Sequence, residues 1–114
     1  MYQVTFSDQS AKVFGEFPKD RQLKIIDELS RLSPAILEAG EEPLGVFKRA
    51  ETTYYRYRLE DLRFYFILKE ETICCLYILN KNTWADFRLR ANLEKLSDIE
   101  IEKNPNFLSL LEKH

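Results

Sequence analysis

Residues 54–68 read Tyr54-Tyr-Arg-Tyr-Arg-Leu-Glu-Asp-Leu-Arg-Phe-Tyr-Phe-Ile-Leu68, two β-rich runs separated by an acidic dipeptide. A two-residue turn at Glu60-Asp61 sets the register of a hairpin: Leu59 opposes Leu62, Arg58 opposes Arg63, Tyr57 opposes Phe64 and Arg56 opposes Tyr65. Strand side chains alternate faces, so Tyr54, Arg56 and Arg58 share one face with Arg63 and Tyr65. Like charges directly opposite one another destabilise a sheet, so such a cluster is expected to meet an anion, and a phosphate backbone is the obvious one. A second reading stays open, in which Arg58 and Arg63 flank a solvated turn and pair with Glu60 and Asp61.

The 114 residues suffice for one domain with a modest core, and 45% hydrophobic with 32% charged residues is the balance of an ordinary globular chain. No apolar run is long enough to span a bilayer, and Met1-Tyr-Gln-Val-Thr-Phe6 goes directly into a strand pattern. The expectation is a cytoplasmic protein without a signal peptide. Cys74 and Cys75 are sequence neighbours and point to opposite faces of a strand, so they suit neither a mutual disulfide nor one metal ion. With His114 as the single histidine, a zinc site built by the protein is not expected. The net charge of −2 speaks against a dedicated nucleic-acid binder, but its distribution is uneven. Residues 1–47 carry a net −3, residues 48–90 a net +3 and residues 91–114 a net −2, so the hairpin lies in the basic segment.

Around the hairpin, Tyr2, Val4 and Phe6 alternate with polar residues as a short strand, and Ser7 can cap a helix carrying Ala11, Val13, Phe14 and Phe17. Pro18 suits the first turn of a second helix, whose Leu23, Ile25, Ile26, Leu29 and Leu32 are expected to pack on a sheet. Ser33-Pro34 and residues 38–43 break the pattern and mark a connection. Strands follow at about 46–59, interrupted near Ala50, then at 62–68 and 72–79, with Lys69-Glu70-Glu71 as a tight turn. Residues 80–90 leave the sheet. Ser97-x-x-Glu100 is a capping-box pattern, and Phe107, Leu108, Leu110 and Leu111 form an apolar cluster able to cover the domain or meet a partner. The expected fold class is therefore α+β: an N-terminal strand, two helices on a mostly antiparallel four-stranded sheet ending in a three-stranded meander, and a C-terminal helical extension. Residues 1–90 make the domain and residues 91–114 the extension or arm.

This order of elements, with arginines on the meander, resembles the RelE/ParE superfamily of bacterial toxins. The carrying residues are Val4-x-Phe6-Ser7, the Leu23–Leu32 helix, Glu42-Pro43-Leu44, and Tyr-Arg-Tyr-Arg-Leu…Leu-Arg-Phe-Tyr-Phe of the hairpin, spanning residues 2 to about 89. The resemblance implies a toxin paired with an antitoxin protein. In the RelE branch it also implies a metal-independent endoribonuclease that meets mRNA in the ribosomal A site and cuts it by attack of the RNA's own 2′-hydroxyl. Such chemistry needs a proton acceptor, cations for the dianionic phosphorane and a donor for the leaving 5′-oxygen. Arg56 and Arg58 match two basic residues of the branch on the first meander strand, and Arg63 matches the arginine that opens the second. Arginine grips phosphate well but is a poor base.

The departures lie after the last strand. Asn80-Lys81-Asn82 stands where the family usually has an arginine, leaving Lys81 as a substitute cation, and Phe87 stands in the region of a C-terminal tyrosine or histidine. Glu42, preceding Pro-Leu, resembles the general base of some relatives, though a solvated loop glutamate reads the same way. Tyr65 is either an acid or base tuned by its cationic neighbours or a packing residue. Lys48 and Arg49 precede the hairpin and are candidate RNA-phosphate contacts or a solvated pair, while Trp84 and Phe87 fit a core lid better than a base-stacking platform. The leading expectation is a ribosome-dependent mRNA endonuclease that needs no cofactor. The alternatives are a ParE-like, non-nuclease inhibitor of DNA gyrase and a catalytically inactive interaction domain of the same fold.

Overall fold

The 54–68 hairpin forms in the register that side-chain alternation predicts, with Arg56 opposite Tyr65, Tyr57 opposite Phe64, Arg58 opposite Arg63 and Leu59 opposite Leu62. In this computed structural model the described residues are 2–79, 102–103 and 105–112. The elements are β1 (Gln3–Phe6), α1 (Asp8–Gly15), α2 (Lys19–Ser30), α3 (Pro34–Ala39), β2 (Leu44–Arg49), β3 (Thr52–Leu59), β4 (Leu62–Lys69), β5 (Thr72–Leu79) and a C-terminal helix, α4 (Pro105–Leu111). The sheet order is β1-β5-β4-β3-β2. Strands β2 to β5 make an antiparallel meander, and β1 adds in parallel beside β5. The class is α+β, as expected from the sequence, with one more strand and one more short helix.

Both additions have local causes. The interruption near Ala50 is a two-residue hairpin turn, so the span 46–59 is two paired strands, with Phe47 opposite Tyr54 and Gly45 opposite Arg56. Ala50, Glu60 and Glu70 each open a two-residue turn with φ of 54°, 58° and 57°, a region that favours glycine. The apparent break at Ser33-Pro34 starts α3: the Ser33 hydroxyl accepts from the Ile36 N–H, Pro34 occupies the first turn, and Gly40 closes the helix with φ 61°.

Ser7 caps α1, and Ser10, buried beneath it, donates to the Cys75 carbonyl at 2.9 Å. Gln9 extends the sheet edge where β1 ends, its side-chain amide bonding both the N–H (3.0 Å) and the carbonyl (3.1 Å) of Ile78. One face of the sheet packs on the helices through Ile25, Leu29, Phe64, Phe66, Ile73 and Ile78, all essentially inaccessible. Leu23 departs from expectation and is 65% exposed. It lies about 200° around the helix from Ile25, on the outer side of α2. The opposite face, which carries Tyr54, Arg56 and Tyr65, is covered by α4 through Phe107 and Leu111.

Candidate nucleic-acid interface

Arg56 and Arg58 are two residues apart on β3, so both project from the face opposite α1 and α2, and Arg63 stands across from Arg58 on β4. What surrounds them differs sharply along the strand. Arg56 is only 2% exposed. Its guanidinium lies over the bare backbone of Gly45, where an added Cβ would fall 2.6 Å from Nη2. Nη1 donates to Glu102 Oε2 at 2.6 Å, and Nη2 donates to Glu42 Oε1 at 3.1 Å. The other Glu42 oxygen accepts a short bond from Arg58 Nη2. Among the described residues, two guanidinium groups and two carboxylates thus alternate in a line, Glu102–Arg56–Glu42–Arg58.

The line runs from interior to solvent. Glu102 is 6% exposed and buried with Arg56, whereas the side chains of Arg58 and Glu42 are 40% and 58% exposed. A buried ion pair is stable only when both partners stay, because removing one leaves an uncompensated charge away from water. The hydrogen bond from Arg58, reinforced by the Arg56 charge, outweighs desolvation and holds the Glu42 carboxyl below its ordinary value. A carboxylate so stabilised is a weaker proton acceptor. Glu42 is built here as the clamp between two arginines.

Tyr65, next along the face, is fully buried, its ring edge-on to Phe107 at 5.1 Å and to Phe47 at 6.2 Å. Phe47 stacks on Tyr54 at 5.5 Å. Burial, and then the Glu112 charge, push the Tyr54 phenol above its ordinary value. Arg49 lies on this face too and pairs with Glu112 beyond α4, Nε to Oε1 at 2.6 Å. Lys48, its neighbour, is exposed and projects to the other face, so Lys48 and Arg49 do not form one patch. Arg63 is half-buried. Lys81, Trp84, Phe87 and the Ser97–Glu100 pattern lie outside the described residues. Glu60 and Asp61 do not serve Arg58 and Arg63 in the described contacts. They reach across to α2, with Glu60 on Lys24 at 3.0 Å and Asp61 on Arg21 at 3.4 Å.

Sequence reasoning missed Glu102, Gly45 and Glu112. Gly45 carried a usable signal, since glycine inside a strand marks close approach of another group. Glu102 carried only the acidic balance of residues 91–114. The cleft that reaches Arg56, bordered by Gly45, Phe47, Glu102 and Lys103, holds about 280 Å³. That is at the bottom of the range for small-molecule pockets. A larger hollow of about 580 Å³ lies away from the arginines, between Leu32, Leu37, Tyr55 and Leu68.

No protein-family model and no curated protein matches the chain. Among solved structures it is similar to a chain in the archaeal RelE–RelB complex from Pyrococcus horikoshii OT3. The identity is 19%, the TM-score 0.52, and the match covers 70% of this chain and 94% of that one. The fold is therefore RelE-like. The covered share is close to the share of this chain that β1 to β5 span.

Proposed function

We propose that this chain is the toxin of a toxin–antitoxin pair, held by a RelB-like antitoxin and acting in the cytoplasm as a ribosome-dependent mRNA endonuclease. The observation that carries the reading is the placement of Arg56, Arg58 and Arg63 together on the β3–β4 face of a RelE-like sheet. The RNA's 2′-oxygen attacks the adjacent phosphorus, the bond to the 5′-oxygen breaks, and the products are a 2′,3′-cyclic phosphate and a 5′-hydroxyl. Arg58 and Arg63 supply fixed positive charge where the phosphorane's negative charge develops, the largest lever available to such a site. Glu42 orients Arg58. Water takes the 2′-proton and returns one to the departing 5′-oxygen, because a permanently charged arginine is no base.

The test is mRNA cleavage in a purified translation system, mapped by primer extension. Wild-type protein is expected to cut within the A-site codon, and Arg58→Ala/Arg63→Ala to lose about 100-fold or more, as removal of transition-state charge stabilisation does. Intact mRNA with both wild-type protein and Glu102→Gln overturns the nuclease. A second reading, a non-catalytic interaction domain, is favoured by one observation: the Arg56 charge is already satisfied inside the protein by Glu102. Intact mRNA in this assay moves the function to that reading or to gyrase inhibition.

A further inference from the structure

The C-terminal segment meets the arginine face in a pattern that its apolar packing does not explain. Phe107 and Leu111 account for the adhesion of α4, filling the surface around Tyr65, Tyr54, Ile67 and Leu79. The segment also carries a carboxylate at each end. Glu102, before α4, takes Arg56 at 2.6 Å, and Glu112, after it, takes Arg49 at 2.6 Å. Arg56 and Arg49 lie on the same sheet face, on neighbouring strands. Two acidic groups flanking an aromatic and aliphatic body, each seated on an arginine, have the chemistry of the ligand proposed above: anionic groups at intervals with rings between them.

The geometry also makes the two occupants exclusive. Both terminal nitrogens of Arg56 already donate to carboxylate oxygens, and the side chain is 2% exposed. A phosphate oxygen reaches Nη1 only if Glu102 leaves, and Glu102 is itself buried against it.

We infer that the segment formed by Glu102, α4 and Glu112 is a tethered competitor of RNA, an internal stretch with a carboxylate at each end that occupies the arginine face and must lift off before a phosphate backbone binds there. The inference rests on the reading of that face as the RNA site and names its regulation. The more exposed arginine of the network, Arg58 at 40% exposure, is where an entering phosphate first makes contact.

The full chain tests it, with binding of a fluorescent single-stranded RNA 12-mer followed by anisotropy at low salt. Glu112→Gln breaks a half-exposed pair and is expected to tighten binding about two- to fivefold. Glu102→Gln breaks the buried pair and is expected to tighten it about tenfold or more. Glu38→Gln, at an exposed position of α3, removes the same charge elsewhere and is expected to change affinity by less than about twofold. In wild-type protein, adding RNA is expected to speed hydrogen exchange of residues 105–111. Because Glu112 is a surface residue, its variant keeps the test open if Glu102→Gln folds poorly. Wild-type binding that both Gln variants leave within twofold, with exchange at 105–111 unmoved by RNA, overturns the competitor while leaving the RNA site standing. Absence of binding by wild type and both variants overturns the RNA site, and the competitor with it.

Discussion

Gly45→Ala is the smallest change that tests how Arg56 is held. A Cβ built on Gly45 falls 2.6 Å from Arg56 Nη2, 2.7 Å from Cζ and 3.1 Å from Nη1, too close for coexistence. Something must shift, and the guanidinium has little freedom, pinned by Glu102 at 2.6 Å and Glu42 at 3.1 Å in a buried setting. Losing a buried ion pair costs about 3–5 kcal/mol. Replacing glycine by alanine inside a strand returns roughly 0.5–1 kcal/mol of backbone entropy. The expected net loss is about 2–4 kcal/mol, from the difference of those two terms. Urea denaturation followed by far-UV circular dichroism reads it as a midpoint lowered by roughly 1–2 M for a chain of this size. The control is the same substitution in an Arg56→Met/Glu102→Met background, where an unbranched apolar chain replaces the fixed fork. There Gly45→Ala should stabilise by about 0.5 kcal/mol, the entropy term alone. A loss under about 0.5 kcal/mol in the native background, or an equal loss in both, refutes the close packing of guanidinium on Gly45.

Two further outcomes follow from the same geometry. The folded-state pKa of Glu42 lies below its ordinary value of 4.5, chiefly through the hydrogen bond from Arg58, so its stabilising effect is present above about pH 4.5 and is lost as pH falls through the lower folded value. The stability gap between wild type and Glu42→Gln, measured by denaturation at a series of pH values, should be widest near neutrality and close below pH 4.5; a gap independent of pH counts against the clamp. Ala50 sits at φ 54° in the β2–β3 turn, so Ala50→Gly should raise stability by up to about 1 kcal/mol in thermal unfolding, and a loss would show that the turn is not strained.

The parts of the fold that depend on local rules were readable from residues alone. Alternation over 54–68 and a two-residue turn set the hairpin register down to individual pairs, because a one-residue slip would send Phe64 and Phe66 to the wrong face. Ala50 hid a turn because the residue there is not glycine, and the chain accepts a left-handed φ at an alanine. Ser33-Pro34 was ambiguous for a physical reason: a serine cap followed by proline is the start signal of a helix as much as the end of one. The site was readable by face and not by environment. Which arginines share a surface follows from period 2. That Arg56 is buried under a carboxylate 46 residues further on depends on tertiary docking, which no local pattern encodes.

Destabilisation of like charges facing one another is what first pointed from Arg56, Arg58 and Arg63 to an anion. The structure answers that requirement with the chain's own carboxylates: Glu42 bridges two of the arginines and Glu102 saturates the deepest. An internal anion satisfies the electrostatics as well as an external one, so the cluster by itself does not distinguish a nucleic-acid site from a structural network. The proposed RNA reading draws its support from the gradient of burial. A network serving stability alone gains most from burying every member with matched partners, since half-exposed pairs are worth little. Here Arg58 is half-exposed and Glu42 more so, with Arg63 half-buried opposite Arg58. Beside them the strong, buried pair is made by a segment anchored on the same face. That division, exposed contacts on one side and a strong one under a docked segment, suits a surface whose anion is exchanged.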